Sequence, residues 1–171
     1  SDAVGHSTRS RAARGGGGFG SRLGIMEAEA AVERTARSTI IREQHDYRAS
    51  LNTLDCLSIS RVSWAATADP IRMKFPLEKI RPGDVFIYND VYESAGTIGH
   101  LPDYCVVTPI FFDQLLIGFG QIFGHVSDVG GRMAGAWPNT SRSIFEEGTM
   151  CPPVKLLEEG VLNEGLYDII L

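Results

Sequence analysis

Downstream of Gly24 the apolar residues recur at positions 25, 28, 32, 36 and 40. Spacings of three and four put one stripe on an α-helix. On the polar side Glu29 neighbours Arg34, and Glu33 stands at the favourable i, i+4 distance from Arg37. His45 and Asp46 follow near the predicted helix end, where His45 reads as a solvated or capping residue. LDCLSISRVSWAATADPIRM mixes β-branched with small residues and closes on Asp69-Pro70, predicting one or two short strands and a turn.

The period then changes to two. After the polar turn PLEKIRPGD, the run VFIYND puts Val85, Ile87 and Asn89 on one face and Phe86 and Tyr88 on the other. DYCVVTPIFF predicts a second strand and LLIGFGQIFGH a third, with Asp113-Gln114 between them as a hairpin turn. Glycines at 118, 120 and 124 predict close packing of that third strand against another layer. A Gly-, Pro- and Ser-rich loop, SIFEEGTMCPPVKL and a tight EEGVLNEG turn complete the body. A last helix would carry Leu162, Leu166, Ile169 and Ile170 on one side, and its missing continuation predicts a piece of something larger. The expected fold class is α+β: an N-terminal helix followed by a β-rich antiparallel body, part of a larger multi-domain subunit.

Composition narrows the function. The 171 residues carry a net charge of −5, which argues against nucleic acid or an anionic membrane as partner. No uninterrupted apolar run reaches the length of a membrane span. Residues 1–23 read as a flexible Gly/Arg-rich arm: Arg9, Arg11, Arg14 and Arg22 face only Asp2, and GGGGFG resembles a linker. Cys56, Cys105 and Cys151 are an odd count without CxxC spacing, as reduced cytoplasmic thiols would be. Walker, Rossmann, GxSxG and HExxH motifs are absent. Cys151 reads as a buried structural thiol rather than a nucleophile.

The chemistry concentrates in two repeats of one spacing, His100-Leu101-Pro102-Asp103 and His125-Val126-Ser127-Asp128. His100 precedes one predicted strand and His125 ends the next. A hairpin closed at Asp113-Gln114 therefore returns both histidines to one sheet edge, with Asp103 and Asp128. Asn89 and Asp90, at the end of the preceding strand, join the same edge. Imidazole and carboxylate suit zinc, manganese or ferrous iron. The pattern alone leaves two readings: a metal site, or polar residues that hydrogen-bond loops beside strands.

RPGDVFIYNDVY, GHLPDYCVVTPIF, GHVSDVGG and EEGTMCPPVKLLEEGVLNE occur in that order. The run resembles the hydantoinase B/oxoprolinase family, which includes the large subunits of acetone and acetophenone carboxylases. ERTARSTIIREQHDYRASLNTLD is similar to the helix and strand that precede it there. Residues 24–171 are thus expected to be the N-terminal portion of a hydantoinase B-like domain. The resemblance implies that His100, Asp103 and His125 hold a divalent metal, zinc or manganese. Asp128 would support them or add a ligand, with Asn89 and Asp90 behind. It also implies an ATP-dependent ketone carboxylase of the acetophenone or acetone type, joining an enolate or enol phosphate to CO2 derived from bicarbonate. Partners would be a hydantoinase A-like subunit bearing ATP and magnesium, further carboxylase subunits, a small ketone and bicarbonate, in the cytoplasm. The alternatives are an ATP-dependent hydantoinase or 5-oxoprolinase that hydrolyses a cyclic amide, and a non-catalytic scaffold paralogue. Three departures stand out: Val91 replaces the proline of NDPY, the loop before His100 is longer, and Val126 replaces the second histidine of HHxD. The last counts against the hydrolase branch.

Overall fold

The computed structural model describes residues 13–59, 68–134 and 141–170. Among the described residues six strands form one antiparallel sheet in the order β1-β4-β3-β2-β5-β6. They are β1 (Tyr47–Asn52), β2 (Val85–Tyr88), β3 (Asp103–Phe112), β4 (Leu115–His125), β5 (Val154–Glu158) and β6 (Val161–Leu162). Helices α1 (Ala13–Thr35) and α2 (Thr39–Gln44) precede the sheet, α3 (Asp69–Lys74) lies between β1 and β2, and α4 (Glu164–Ile170) follows β6. The α+β class and the antiparallel body agree with the hydrophobic pattern.

The β3–β4 hairpin forms where alternation predicts it. Asp113 and Gln114 both adopt positive φ, 46° and 68°, the handedness that matches the twist of the flanking strands. Two of the three glycines in β4 sit where a side chain has no room. A Cβ at Gly118 would overlap the Asn52 carbonyl of β1, and one at Gly124 would press on Ile41 of α2. The main core lies on the sheet face that carries Phe86, Tyr88, Cys105, Val107 and Phe119, closed by Ile71 of α3.

The N-terminal half departs from the periodic reading in four places. The helix runs back to Ala13 and includes the glycine run 15–18 expected as a linker; glycine costs about 1 kcal/mol per helical position but does not forbid it. The stripe at 25, 28, 32, 36 and 40 is interrupted after Thr35. A new helix starts on Ser38, whose hydroxyl accepts from Ile41 N at 3.4 Å and donates to the His125 carbonyl at 2.8 Å. Glu29 and Glu33 reach β1 rather than Arg34 and Arg37: Glu29 accepts from Ala49 N at 3.2 Å, and Tyr47 donates to Glu33 at 3.1 Å. Finally, Asp69-Pro70 opens α3 instead of closing a strand, because proline's fixed φ suits the first helical turn. Of the strands predicted in that stretch, the described part holds only a bridge from Asn52 to Ser58, and residues 60–67 lie outside the described residues.

Candidate metal centre

At the open end of the β3–β4 hairpin Asp103 pairs with His125 across the ladder. Tyr47 pairs with Gly124 on the other side of β4, so Asp46 continues that rung and its carbonyl accepts from His125 N at 3.0 Å. Three chemistry-bearing residues, Asp46, His125 and Asp103, thus stand side by side on adjacent chains. His100 arrives from the loop before β3. A tight turn returns its carbonyl to Asp103 N at 3.3 Å, and the buried Pro102 fixes the backbone between them.

The distances define one cluster. His100 Nε2 is 3.3 Å from Asp103 Oδ2, and His125 Nδ1 is 3.5 Å from Asp103 Oδ1 and 3.7 Å from Asp46 Oδ2. The two imidazole rings are 4.9 Å apart. One ligand atom from each of His100, Asp103 and His125 lies within 4.8 Å of the other two. The donor set is nitrogen and carboxylate oxygen, which suits a borderline divalent cation such as zinc or manganese. His125 Nε2 is buried with no hydrogen-bond partner, an atom whose desolvation an ion would repay. The residues fit a metal.

Electrostatics agree with that use. Burial lowers the pKa of His100, against the charges of Glu147 and Asp46 that raise it. Burial likewise lowers His125, with Asp103 and Asp46 opposing and His100 adding to the fall. Both rings are held neutral, the form that ligates. Burial pushes the Asp103 carboxyl up to about 6, although His125 pulls it down. A cation placed among these groups would reverse that penalty, since an adjacent positive charge favours the carboxylate.

The other predicted residues divide by contact. Asn89 is fully buried and donates to the Leu101 carbonyl at 2.8 Å and the Thr149 carbonyl at 2.9 Å, while Cys151 N donates to its Oδ1 at 2.6 Å. It braces the loop that carries His100. Asp90 is turned away: its Oδ1 accepts from Tyr92 N and Glu93 N at 2.8 and 3.1 Å. Asp128 is exposed and closes its own turn on Gly130 N at 2.9 Å. Val126 packs into a small apolar cluster with Leu101 and Val129. Cys56, Cys105 and Cys151 are free and buried, and burial pushes their thiols up to about 12, 12 and 11. No thiolate nucleophile is at hand among them. Asp46 is the residue that periodicity misses: nothing local marks it, and only the pairing of β1 with β4 brings it to His125.

The chain is 33% identical over 150 residues to 5-oxoprolinase 1 of Arabidopsis thaliana, covering 83% of this chain and 12% of that protein. It is 29% identical over 111 residues to the acetophenone carboxylase delta subunit of Aromatoleum aromaticum, covering 62% of this chain and 16% of the subunit. The crystal structure of the ATP-dependent caprolactamase from Pseudomonas jessenii superposes with a TM-score of 0.76 at 26% identity, covering 96% of this chain and 29% of that one. The chain therefore spans less than a third of each of these relatives. No described helix is long and apolar enough to cross a membrane. With the family model for hydantoinase B/oxoprolinase matching residues 24–171, the chain belongs to the hydantoinase B/oxoprolinase family.

Proposed function

We propose that this chain carries the metal centre of an ATP-dependent enzyme acting on a carbonyl group, and that the reaction is the ring opening of a cyclic amide. The observation behind this reading is the convergence of His100, Asp103 and His125 on one sheet edge, with Asp46 beside them. A divalent metal there, zinc or manganese by its donors, would supply Lewis-acid polarisation of a carbonyl or phosphoryl oxygen. The protein's own work is placement. Burial keeps both imidazoles neutral, Asp103 contributes the charge, and Asn89 with Pro102 fixes the loop between them. By the family resemblance, ATP and magnesium are assigned to a partner subunit of the hydantoinase A kind. That dependence on ATP is in keeping with a cytoplasmic location.

One observation supports a lactam substrate: 5-oxoprolinase 1 of Arabidopsis thaliana and the caprolactamase subunit beta of Pseudomonas jessenii are similar over 83% and 82% of this chain, against 62% for the acetophenone carboxylase subunit. Val126, in place of a histidine, weighs the other way. The second reading, carboxylation of a ketone by bicarbonate-derived CO2, is favoured by the similarity to the acetophenone carboxylase delta subunit. There the same edge would hold an enolate against its electrophile, a matter of positioning and charge.

The test is ADP release by the assembled native complex with 5-oxoproline, caprolactam or acetophenone, each with and without bicarbonate. Lactam-dependent release, indifferent to bicarbonate and matched by ring-opened product, is the expected result. Release that requires both acetophenone and bicarbonate would transfer the protein to the carboxylase reading. Silence with all three from a complex that also contains no metal would leave a scaffold.

A further inference from the structure

The Asp46 carboxylate faces His125 Nδ1 at 3.7 Å, and its side chain is 52% exposed. A half-exposed carboxylate at the entry of a strand is free to sample several rotamers unless the chain around it is held. Here the chain is held on both sides.

The residues flanking Asp46 are gripped twice. Their side chains meet Glu33 of α1: the Tyr47 hydroxyl donates to Glu33 Oε2 at 3.1 Å, and His45 Nδ1 lies 3.8 Å from the same oxygen. The tyrosine bond carries this grip, because an exposed pair at such a distance contributes little. Their carbonyls meet Arg48, whose guanidinium donates to Tyr47 O at 2.6 Å and to His45 O at 3.3 Å. Asp46 itself donates its amide to the Ile40 carbonyl at 3.4 Å and accepts at its own carbonyl from His125 N at 3.0 Å. Every one of these bonds uses backbone or a neighbour, so the Asp46 carboxylate is left to His125.

The grip comes from a match of two repeats. Glu29, one helical turn before Glu33, accepts from Ala49 N at 3.2 Å. Four residues of helix advance about 6.0 Å and two residues of strand about 6.6 Å, so one side of α1 holds Tyr47 and Ala49 together. β1 is a terminal strand of the described sheet, and Glu29 supplies the acceptor that an outer strand would have given its Ala49 amide. On the other face Gln121 donates to Ser50 Oγ at 2.7 Å and fixes the middle of β1 on β4. That bond lies two rungs beyond the entry of the strand, where Glu33 acts.

We infer that Glu33 is a positioning residue of the metal edge: through Tyr47 and His45 it holds Asp46 against His125. The inference rests on the metal-centre reading above. Its consequence is that α1 sets the affinity of the site together with the hairpin and the His100 loop.

The experiment measures Co2+ binding to the full-length assembled protein by visible absorption, for wild type, Glu33→Ala, Glu33→Gln, Asp46→Ala and the Glu33→Ala, Asp46→Ala double variant. Asp46→Ala and Glu33→Ala should each weaken cobalt binding by about 10-fold or more, as loss of an outer partner of a metal ligand does. Glu33→Gln should stay close to wild type, since its amide oxygen still accepts from the Tyr47 hydroxyl. Once Asp46 is alanine, Glu33→Ala should weaken binding no further, because residues that act through one another are not additive. An equal loss in both backgrounds makes Glu33 a general stabiliser and overturns the inference. So does cobalt binding that either single alanine variant leaves intact. Should Glu33→Ala fail to assemble, Tyr47→Phe takes its place in the same cycle and is judged by the same outcomes. Wild type that takes up no cobalt ends the metal-centre reading by itself. The hold on Asp46 is then decided by hydrogen exchange at the His125 amide, which Glu33→Ala should speed by about fivefold or more; unchanged exchange overturns it.

Discussion

The two ends of the β3–β4 hairpin are built on opposite principles. At the closed end Phe112 and Leu115 flank the turn and are each 67% exposed, and the chain reverses on Asp113 and Gln114 alone. At the open end a half-buried Asp103 and a buried His125 sit among polar groups, and the ring of His125 keeps an unpaired nitrogen. The closed end follows local turn chemistry and leaves apolar surface in water. The open end pays desolvation to hold ionisable groups close together. That difference separates a stretch made by local folding rules from the one we propose as a metal site.

The comparison breaks most sharply at His125. Replacing it with alanine should lower Zn2+ or Mn2+ affinity by about 100-fold or more, since loss of even an outer partner of a metal ligand costs 10–100-fold. Calorimetric titration of the full-length protein would show it. Unchanged affinity in a folded variant would remove the open end from the list of metal sites.

Asp103→Asn is expected to have the next largest effect, this time on the metal-free protein. The folded carboxyl titrates near 6 against an ordinary value of 3.8. Below 3.8 both folded and unfolded chains are protonated and nothing is lost. As pH climbs toward 6 the unfolded chain releases its proton first, so the stability tied to this group falls and is fully gone above 6. Asparagine has no such charge. The metal-free variant should therefore gain on wild type by about 3 kcal/mol between acid and neutral pH, at about 1.4 kcal/mol per unit, read from urea unfolding. A flat difference across that range would mean that Asp103 is better solvated than its burial implies. Added metal should reverse the order, because only the aspartate can ligate.

The smallest effect belongs to the closed end. Gln114→Gly relieves a left-handed φ of 68° and should stabilise the chain by about 0.5–1 kcal/mol, with metal affinity unaltered. A change in affinity would show that the two ends are coupled along the hairpin, contrary to the contrast drawn here.

Much of this was legible in the residues. Strict alternation through Val85–Tyr88 and on both sides of Asp113-Gln114 predicts three strands, and a hairpin closed at that turn returns His100 and His125 to one edge. Helical segmentation was less legible. Ser38 looks like any polar residue within a helical stripe until its hydroxyl is seen to serve both Ile41 N and the His125 carbonyl. Asp69-Pro70 is a turn signal and a helix start alike, and no neighbouring residue decides between them. Asp90 and Asp128 sit near the site in sequence, yet each satisfies its carboxylate on backbone a few residues away, a choice that spacing does not reveal.

What the sequence by itself determined is the hairpin and the return of His100 and His125 to one edge. The pairing of Asp103 with His125 came from a register shift between Ile110 and Phe111, since the turn alone would set Asp103 opposite Gly124. The tertiary structure alone decided the rest of the site. Asp46 arrives through pairing of β1 with β4, and the His100 loop is held through Asn89, which ties Leu101 to Thr149 and Cys151. Both contacts join stretches far apart in the chain, where no local periodicity records which partner the backbone will choose.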